Sequence, residues 1–143
     1  MIRPLTLADA PACHALHAIC DTQTYWSTSA YEELISIHLG YGYFMPHLVG
    51  FILAQVAQTQ ADIIYIAVDP SLRQQGIGRL LVSQLSQQKD LEEIFLEVNE
   101  NNKMALTFYS CIDCTSIGRR KAYYTRDGIS YDAIILKKSF LPC

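Results

Sequence analysis

The sequence lacks the long apolar runs and dense basic patches that mark membrane-spanning and nucleic-acid-binding proteins. None of its apolar stretches approaches the roughly 18 residues that a membrane-spanning helix needs. Eleven Lys and Arg residues stand against 14 Asp and Glu residues, a net charge of −3, and they form no broad basic surface. We therefore expect no membrane association and no direct contact with nucleic acid.

Cysteine is also too sparse for a secreted, disulfide-bonded scaffold. The chain has five cysteines, an odd number, without a dense framework. Pro4, Asp9 and Pro11 interrupt any apolar segment of a secretion signal, so we expect a cytoplasmic protein. Cys111 and Cys114 form a Cys-x-x-Cys pair at a predicted helix end, whereas redox pairs of the thioredoxin type begin a helix, and a redox role is therefore not favoured.

Metal ligands are equally scarce. Cys13, His14 and His17 could share one face of a helix, yet no second pair of ligands follows at the spacing of a zinc site. Core packing and surface histidines explain these side chains better. We predict no metal.

Strand and helix patterns interleave along the chain and end in a hairpin. Half of the 143 residues are apolar, which suits one domain covering 1–143. The Asp127-Gly128 pair is a strong signal for the closing hairpin. These patterns predict a mixed α/β (α+β) fold. The predicted strands cover 2–7, 49–57, 63–68, 94–98, 115–124 and 129–137.

Four helices are predicted between these strands. Asp9 is a suitable N-cap for a helix that runs to residue 20. Ser27 or Ser29 begins a second helix, which ends at Gly40. The other two helices cover 77–88, with Leu80, Leu81 and Leu85 as its apolar stripe, and 103–111.

The loop between the strand over 63–68 and the helix over 77–88 carries the strongest functional signal. Gly76 and Gly78 lie where this loop opens into the helix. Glycines at this place let successive backbone N–H groups turn towards one point, and the helix N-terminus adds free N–H groups and partial positive charge. Together these groups form an anion site suited to a pyrophosphate.

Two common phosphate-binding motifs do not fit this loop. A Walker loop needs Lys followed by Ser or Thr after its last glycine, and Arg79-Leu80 stands there. A dinucleotide fingerprint needs Gly-x-Gly-x-x-Gly, and Leu81 occupies its third glycine position. Both alternatives are therefore weak.

A resemblance to a known family begins at the same loop. Motif A of the GNAT superfamily of N-acetyltransferases has the form Arg/Gln-x-x-Gly-x-Gly/Ala, and the sequence from Arg73 to Gly78, RQQGIG, resembles it. The later order of Glu97 in Phe-Leu-Glu-Val, Asn102 and Tyr109 is similar to the RimI-type enzymes, which acetylate the N-terminal alanine of a ribosomal protein. The resemblance implies the GNAT acyl-CoA N-acyltransferase fold, a mixed and mostly antiparallel central sheet flanked by helices.

The resemblance also implies acetyl-CoA as cosubstrate. The strand end before the loop would pair its backbone with the pantetheine arm, and the loop would hold the pyrophosphate. From the residues alone, the same strand is core and Asn102 is a helix N-cap. The implied cofactor-binding residues are Ile66, Ala67, Val68, Arg73, Gln74, Gln75, Gly76, Ile77, Gly78, Arg79, Asn102 and Tyr109.

Two catalytic residues follow from the same resemblance. Glu97 matches the general base of the family, and Tyr109 matches the acid that protonates the coenzyme A thiolate. On the sequence alone, Glu97 could be the solvent-facing member of an alternating strand. Tyr109 could equally be a core side chain.

Aromatic residues are the candidates for the acceptor site. Trp26, Tyr123 and Tyr124 would line a peptide channel, although aromatic packing explains them equally well. Glu32 and Glu33 could attract a basic peptide, although acids on a helix surface are more often only solvated.

Two features depart from the family pattern. Relatives follow the tyrosine helix with Gly-Phe, where this chain has Asp113 and Cys114. Aspartate can take a left-handed turn, so we expect the helix end to survive above a smaller core residue. Residues 41–47 also leave little room for a strand before Val49, which predicts a reduced substrate-side edge.

We predict acetyl transfer from acetyl-CoA to a primary amine, by direct attack in a ternary complex. The preferred acceptor is the N-terminal alanine of a ribosomal protein, and the enzyme is expected as a monomer or weak dimer. Two alternatives stay open: an enzyme for small amines, and a non-catalytic acyl-CoA-binding module. The presence of both Glu97 and Tyr109 argues against the second of these.

Overall fold

The computed structural model describes residues 1–22 and 24–140. In this part the chain forms seven strands and four α-helices. The strands are β1 (Ile2–Pro4), β2 (Leu39–Phe44), β3 (Leu48–Ala57), β4 (Gln60–Val68), β5 (Glu93–Asn99), β6 (Thr115–Arg126) and β7 (Ile129–Ser139). The helices are α1 (Ala10–Cys20), α2 (Thr28–Ile37), α3 (Ile77–Ser86) and α4 (Lys103–Cys111).

All seven strands belong to one mixed sheet, in the order β1-β2-β3-β4-β5-β7-β6. The pairs β1–β2, β2–β3, β5–β7 and β6–β7 are antiparallel. β4 and β5 are parallel, and their pairing covers 60–62 against 93–95 while β4 continues to Val68. The predicted mixed, mostly antiparallel sheet is confirmed.

The chain divides into two compact units. The first holds residues 1–57 and 63–89, and the second holds 58–62 and the residues from 90 onward. In the first unit, α1 packs against α2 and β3, and α3 contacts β2 and β3. β3 is buried over seven consecutive residues, from Leu48 to Ala54, because helices cover both of its faces.

The buried face of α3 differs from the predicted stripe. Ile77, Leu81, Val82 and Leu85 are its buried residues. Leu80 was expected among them, yet it is 46% exposed. The prediction is wrong because Leu80 lies about 120° from the centre of the observed face at 3.6 residues per turn. α3 also ends at Ser86, two residues before the predicted end.

The second unit is built on β5, β7 and β6, with α4 between β5 and β6 in the chain. Asp127 and Gly128 connect β6 to β7 with φ values of +51° and +77°. Two positive φ values in a two-residue connection define a type I′ turn, so the predicted hairpin is confirmed.

The first strand is shorter than the predicted range 2–7, while Asp9 is the N-cap residue of α1, which ends at Cys20 as predicted. β1 ends three residues earlier, and a 3-10 turn covers Leu7–Asp9. The Asp9 carboxylate accepts hydrogen bonds from the Thr6 N–H at 2.7 Å and from Arg3 Nη1 at 2.9 Å. Its side chain makes no cap bond to α1, because these two partners hold the carboxylate. The hydrogen bond from Arg3 also lowers the pKa of Asp9.

The second helix begins as predicted but ends early. Ser27 is its N-cap, and the Ser27 Oγ accepts a hydrogen bond from the Ala30 N–H at 3.1 Å. α2 ends at Ile37, and Gly40 lies inside β2, which is six residues long. The predicted shortage of strand before β3 is therefore wrong. Pairing with β1 and β3 on both sides outweighs the weak strand preference of glycine.

Candidate active site

The Gly-rich loop has a backbone that suits an anion. Gln74 and Gly76 have φ values of +65° and +84°, and Gly76 is the N-cap of α3. The Leu80 N–H donates to the Gly76 carbonyl at 3.0 Å, so the preceding N–H groups of the first turn have no intrahelical acceptor. A Cβ added at Gly76 would meet no atom within 4 Å. The open cradle, the dipole and the backbone donors fit a pyrophosphate group.

The strand end before this loop is held in place by its backbone. Residues 66–68 are the last of β4, and Ala67 is 4% exposed within the core of the first unit. The Asp69 N–H donates to the Val49 carbonyl at 2.8 Å, which ties the strand end to β3. The core role of this strand is therefore confirmed, and its cofactor role stays a prediction.

Arg73 turns its side chain towards the end of β4. The Arg73 Nε donates to the Val68 carbonyl at 3.3 Å, and the Cys20 thiol donates to the same oxygen at 3.3 Å. Burial raises the pKa of Cys20, and the neighbouring Arg73 partly offsets this rise. Arg73 and Val68, both predicted to bind the cofactor, are thus joined by a hydrogen bond to the Val68 carbonyl. No local pattern marks Cys20 for this contact, because 48 residues separate it from Val68.

In the second unit, Glu97 forms an ion pair with Arg120, which in turn lies near Tyr123, and the Glu97 charge acts on Tyr124. The Glu97 Oε1 pairs with the Arg120 Nε at 2.7 Å, and the Glu97 side chain is 27% exposed. The Arg120 guanidinium lies 5.5 Å from the centre of the Tyr123 ring. Burial, followed by the Glu97 charge, raises the pKa of Tyr124. The sequence did not indicate a role for Arg120. Its contact with Glu97 depends on the strand order, which places β6 beyond β7 on the same side of β5.

Asp132 supports the strand that carries these aromatic residues. The register of β6 against β7 shifts between Arg120 and Tyr124, and Ala122 there has a φ of +52°. The Asp132 Oδ1 accepts a hydrogen bond from the Ala122 N–H at 2.9 Å, and Oδ2 pairs with Arg119 at 2.8 Å. These two contacts lower the pKa of Asp132. Since a bulge redirects the side chains beside it, Asp132 helps to set the directions of Arg120 and Tyr124.

Helix α4 carries Tyr109 and begins at Asn102. The Asn102 Oδ1 accepts a hydrogen bond from the Ala105 N–H at 3.1 Å, so the predicted N-cap is confirmed. Tyr109 is 4% exposed, and its ring centre lies 5.0 Å from that of Phe108. A polar pocket near the start of α4 is lined by Asn99, Asn101, Asn102 and Arg126.

The end of α4 keeps its turn without the glycine of the relatives. Asp113 adopts a φ of +69°, as predicted. The Cys114 N–H donates to the Tyr109 carbonyl at 2.9 Å, which closes the helix. Cys114 is buried as the predicted smaller core residue, while Cys111 is exposed.

Trp26 belongs to an aromatic cluster in the first unit. Its ring centre lies 5.0 Å from His17 and 5.4 Å from Tyr65. His17 stacks on Tyr65 at 4.3 Å, and its Nδ1 shares a hydrogen bond of 2.5 Å with the Tyr31 hydroxyl. Burial lowers the pKa of His17, whose Nε2 is buried with no hydrogen-bond partner in the described part of the chain. Aromatic packing of Trp26 is therefore confirmed, and its substrate role stays a prediction.

The described residues contain neither a cluster of metal ligands nor a membrane-spanning helix. In residues 1–22 and 24–140, no three His, Cys, Asp or Glu side chains lie together in a way that could hold a metal ion. Over the same ranges, every helix is too short or too polar to cross a membrane.

Known proteins resemble this chain in sequence and in fold. A model of the acetyltransferase (GNAT) family matches residues 10–111. An uncharacterized protein of Mycobacterium leprae is 30% identical over 146 residues, which cover 96% of this chain and 40% of that protein. The ribosomal protein bS18-alanine N-acetyltransferase of Escherichia coli K12 is 29% identical over 143 residues, which cover 94% of each chain.

A solved structure shows the same fold. The crystal structure of the ribosomal-protein-S18-alanine N-acetyltransferase from Escherichia coli aligns with a TM-score of 0.88 at 24% identity, covering 100% of this chain and 95% of that one. The predicted family and fold are confirmed. Since the family model matches more than half of the residues, the chain belongs to the GNAT family and is an acetyl-CoA-dependent N-acetyltransferase.

Proposed function

We propose that this enzyme acetylates the N-terminal α-amine of a protein, with a ribosomal protein that begins with alanine as its preferred acceptor. The observation that carries the proposal is the match to the bS18-alanine N-acetyltransferase over 94% of both chains. The family alone leaves the acceptor open, since a common fold hosts many activities. Assignment of the acceptor therefore rests on the full-length likeness and on the residues discussed next.

The first unit supplies the anion site of the proposal. Acetyl-CoA brings an acetyl group activated as a thioester, held through its pyrophosphate and pantetheine arm. The first turn of α3 and the open backbone at Gly76 fit the pyrophosphate. The end of β4, residues 66–68, offers backbone groups for the arm. Arg73 positions that strand end through its hydrogen bond to the Val68 carbonyl.

Glu97 serves in this proposal as the acceptor of the proton from the amine. An α-amino group titrates near about pH 7.7–8.0, so loss of its proton near neutral pH costs only about 1 kcal/mol. A weak base is therefore sufficient, acting directly or through a water. A carboxylate offers about four lone-pair sites, so the ion pair with Arg120 leaves Glu97 able to accept further hydrogen bonds.

Tyr109 serves as the proton donor to the departing thiolate. A thiol near pKa 8.5 and a phenol near pKa 10 differ by roughly 1.5 units, so the transfer is mildly uphill and within reach of a hydrogen bond. Tyr109 is 4% exposed, so little bulk water surrounds its side chain. Asn102 caps the same helix with Oδ1 and retains amide N–H groups that can donate to the cofactor.

Release of free thiol from acetyl-CoA tests the proposal. The acceptors are an Ala-Arg-Tyr-Phe peptide, a lysine-rich peptide and spermidine. We expect turnover on the alanine peptide alone, with kcat reduced about a hundredfold or more in Tyr109→Phe. Tyr41→Phe is the matched control, because the Tyr41 phenol lies in the first unit and accepts a hydrogen bond from Gln88 Nε2 at 2.7 Å.

Other outcomes would contradict specific parts of the proposal. Turnover on spermidine alone would keep the acetyltransferase and remove the protein acceptor. Equal kcat for Tyr109→Phe and Tyr41→Phe would remove the role of Tyr109 as proton donor. Tight acetyl-CoA binding with no turnover on any of the three acceptors would remove the protein N-terminus beginning with alanine as the preferred acceptor.

A further inference from the structure

An apolar groove runs along one face of α2 in the first unit. The residues that line it are Trp26, Ala30, Glu33, Leu34, Ile37 and Ile64, around a volume of about 330 Å³. The four α2 residues are spaced i, i+3, i+4 and i+7, which places them on one side of the helix. Ile37 is 64% exposed, so an apolar side chain faces solvent at one end of this groove.

The Trp26 ring, which forms one wall of the groove, is packed against three other aromatic rings. His17, Tyr31 and Tyr65 pack against the indole with ring centres 5.0 to 5.7 Å away. Tyr31 is fully buried, and its hydroxyl shares a hydrogen bond with the His17 imidazole. A preorganised wall binds a ligand with less loss of side-chain entropy than a mobile one. The cluster therefore presents Trp26 as a fixed surface.

The groove carries one negative charge. Glu33 is the single charged residue among its lining residues, all of which lie in the described part of the chain. Glu32 is also exposed, one position earlier on α2, but it does not line the groove. The structure thus separates two acids that the sequence left equivalent. A cationic side chain complements Glu33, and apolar side chains complement the remaining walls.

The length of the groove sets the size of its ligand. From Ala30 to Ile37 the helix rises about 10 Å at 1.5 Å per residue. An extended peptide covers that distance with about three residues. A short extended segment with apolar and basic side chains therefore fits the groove in length, polarity and charge.

We propose that this groove binds a segment of the acceptor polypeptide, with apolar side chains against Trp26 and Ile37 and a Lys or Arg beside Glu33. The inference rests on the proposed function, because it assumes a polypeptide acceptor. It adds the acceptor's sequence preference and assigns it to one face of α2. Glu33 contributes to binding and not to the chemical step.

Steady-state kinetics with two peptides test the role of Glu33. Both peptides begin with Ala and have the same apolar residues, and they differ only in Arg or its neutral isostere citrulline at the next positions. We expect wild type to show a KM about two- to fivefold lower for the Arg peptide, with equal kcat, as for an exposed ion pair. Glu33→Gln should abolish this preference, while Glu32→Gln retains it. The preference should also shrink at high salt.

Fluorescence provides a readout that is independent of turnover. The chain contains one tryptophan, Trp26, so its emission reports the groove directly. We expect a saturable emission change with the Arg peptide in wild type and in Tyr109→Phe. Ile37→Ser, a change at an exposed position, should weaken binding of both peptides without altering the Arg preference.

The outcomes separate the two proposals. Peptide turnover with the same Arg preference in wild type and Glu33→Gln would overturn the groove assignment and leave the proposed function intact. Peptide-dependent emission with no acetylation would leave the groove and remove the proposed function. Sedimentation that shows a dimer dissociated by Ile37→Ser would assign the groove to a second copy of the chain and overturn the inference.

Discussion

Gly76 and Gly128 form a matched pair for testing the anion site. Their φ values are +84° and +77°, and at each position an added Cβ would meet no atom within 4 Å. An alanine at either place therefore has room, and its cost is that of a left-handed L-residue, about 1–2 kcal/mol. Gly76→Ala and Gly128→Ala should consequently lose similar amounts of stability.

Acetyl-CoA binding should separate the two variants. The methyl group in Gly76→Ala would occupy the open space at the first turn of α3, where the proposal places the pyrophosphate. Loss of one charge-assisted hydrogen bond is worth about 1.5–3 kcal/mol. At about 1.4 kcal/mol per tenfold, the acetyl-CoA Kd should rise at least about tenfold. Gly128 lies in the hairpin turn, so Gly128→Ala should bind acetyl-CoA as wild type does.

Two measurements check this prediction. Thermal unfolding without ligand should show a decrease in Tm of about 3–8 °C for each variant, given about 3–4 °C per kcal/mol at this size. Titration calorimetry with acetyl-CoA then gives the two Kd values. Equal affinities of Gly76→Ala and wild type, with the expected loss in Tm, would falsify the assignment of the pyrophosphate to this backbone. A Tm loss in only one variant would contradict the strain argument.

Two further predictions concern stability. Burial lowers the pKa of His17, so below its usual value of about 6.5 the unfolded chain binds more protons than the folded one, and stability decreases as the pH falls from there towards the folded-state pKa. Urea unfolding at several pH values should show this slope in wild type and His38→Gln and a smaller slope in His17→Gln, and equal slopes would contradict the argument. Ala122→Gly removes a left-handed alanine at φ +52° and should raise the free energy of unfolding by about 1 kcal/mol. A lower urea midpoint for Ala122→Gly would show that this backbone is not strained.

Short-range chemistry explains the predictions that the structure confirmed. Asp127-Gly128 forms the expected turn because both positive φ values are set within two residues. The caps at Ser27 and Asn102 depend only on an N–H three residues ahead. Asp113 likewise ends its helix with a local left-handed turn. In each case the deciding atoms lie within one turn of the chain.

Competition for a polar group and pairing with distant segments explain two predictions that the structure does not bear out in full. Asp9 is the N-cap residue of α1 as predicted, but Arg3 and Thr6 hold its carboxylate, which makes no cap bond to the helix. Gly40 looked like a helix stop, but it pairs with Leu53 of β3 and its carbonyl accepts a hydrogen bond from the Leu5 N–H at 3.0 Å. In the first case two other partners compete for the same group, and in the second pairing with distant segments outweighs local preference. A pattern along the chain records neither effect.

Some parts of the candidate site depend on residues close together in the sequence, and others depend on contacts between distant residues. The sequence by itself determined the Gly-rich loop, the helix that follows it, and thereby the anion cradle, because these depend on residues within a few positions of Gly76. Only the tertiary structure brought Arg120 to Glu97, Cys20 to Val68 and Glu33, rather than Glu32, to the groove. Strand order and helix packing decide which distant side chains meet, and those depend on burial of the whole chain rather than on any local motif.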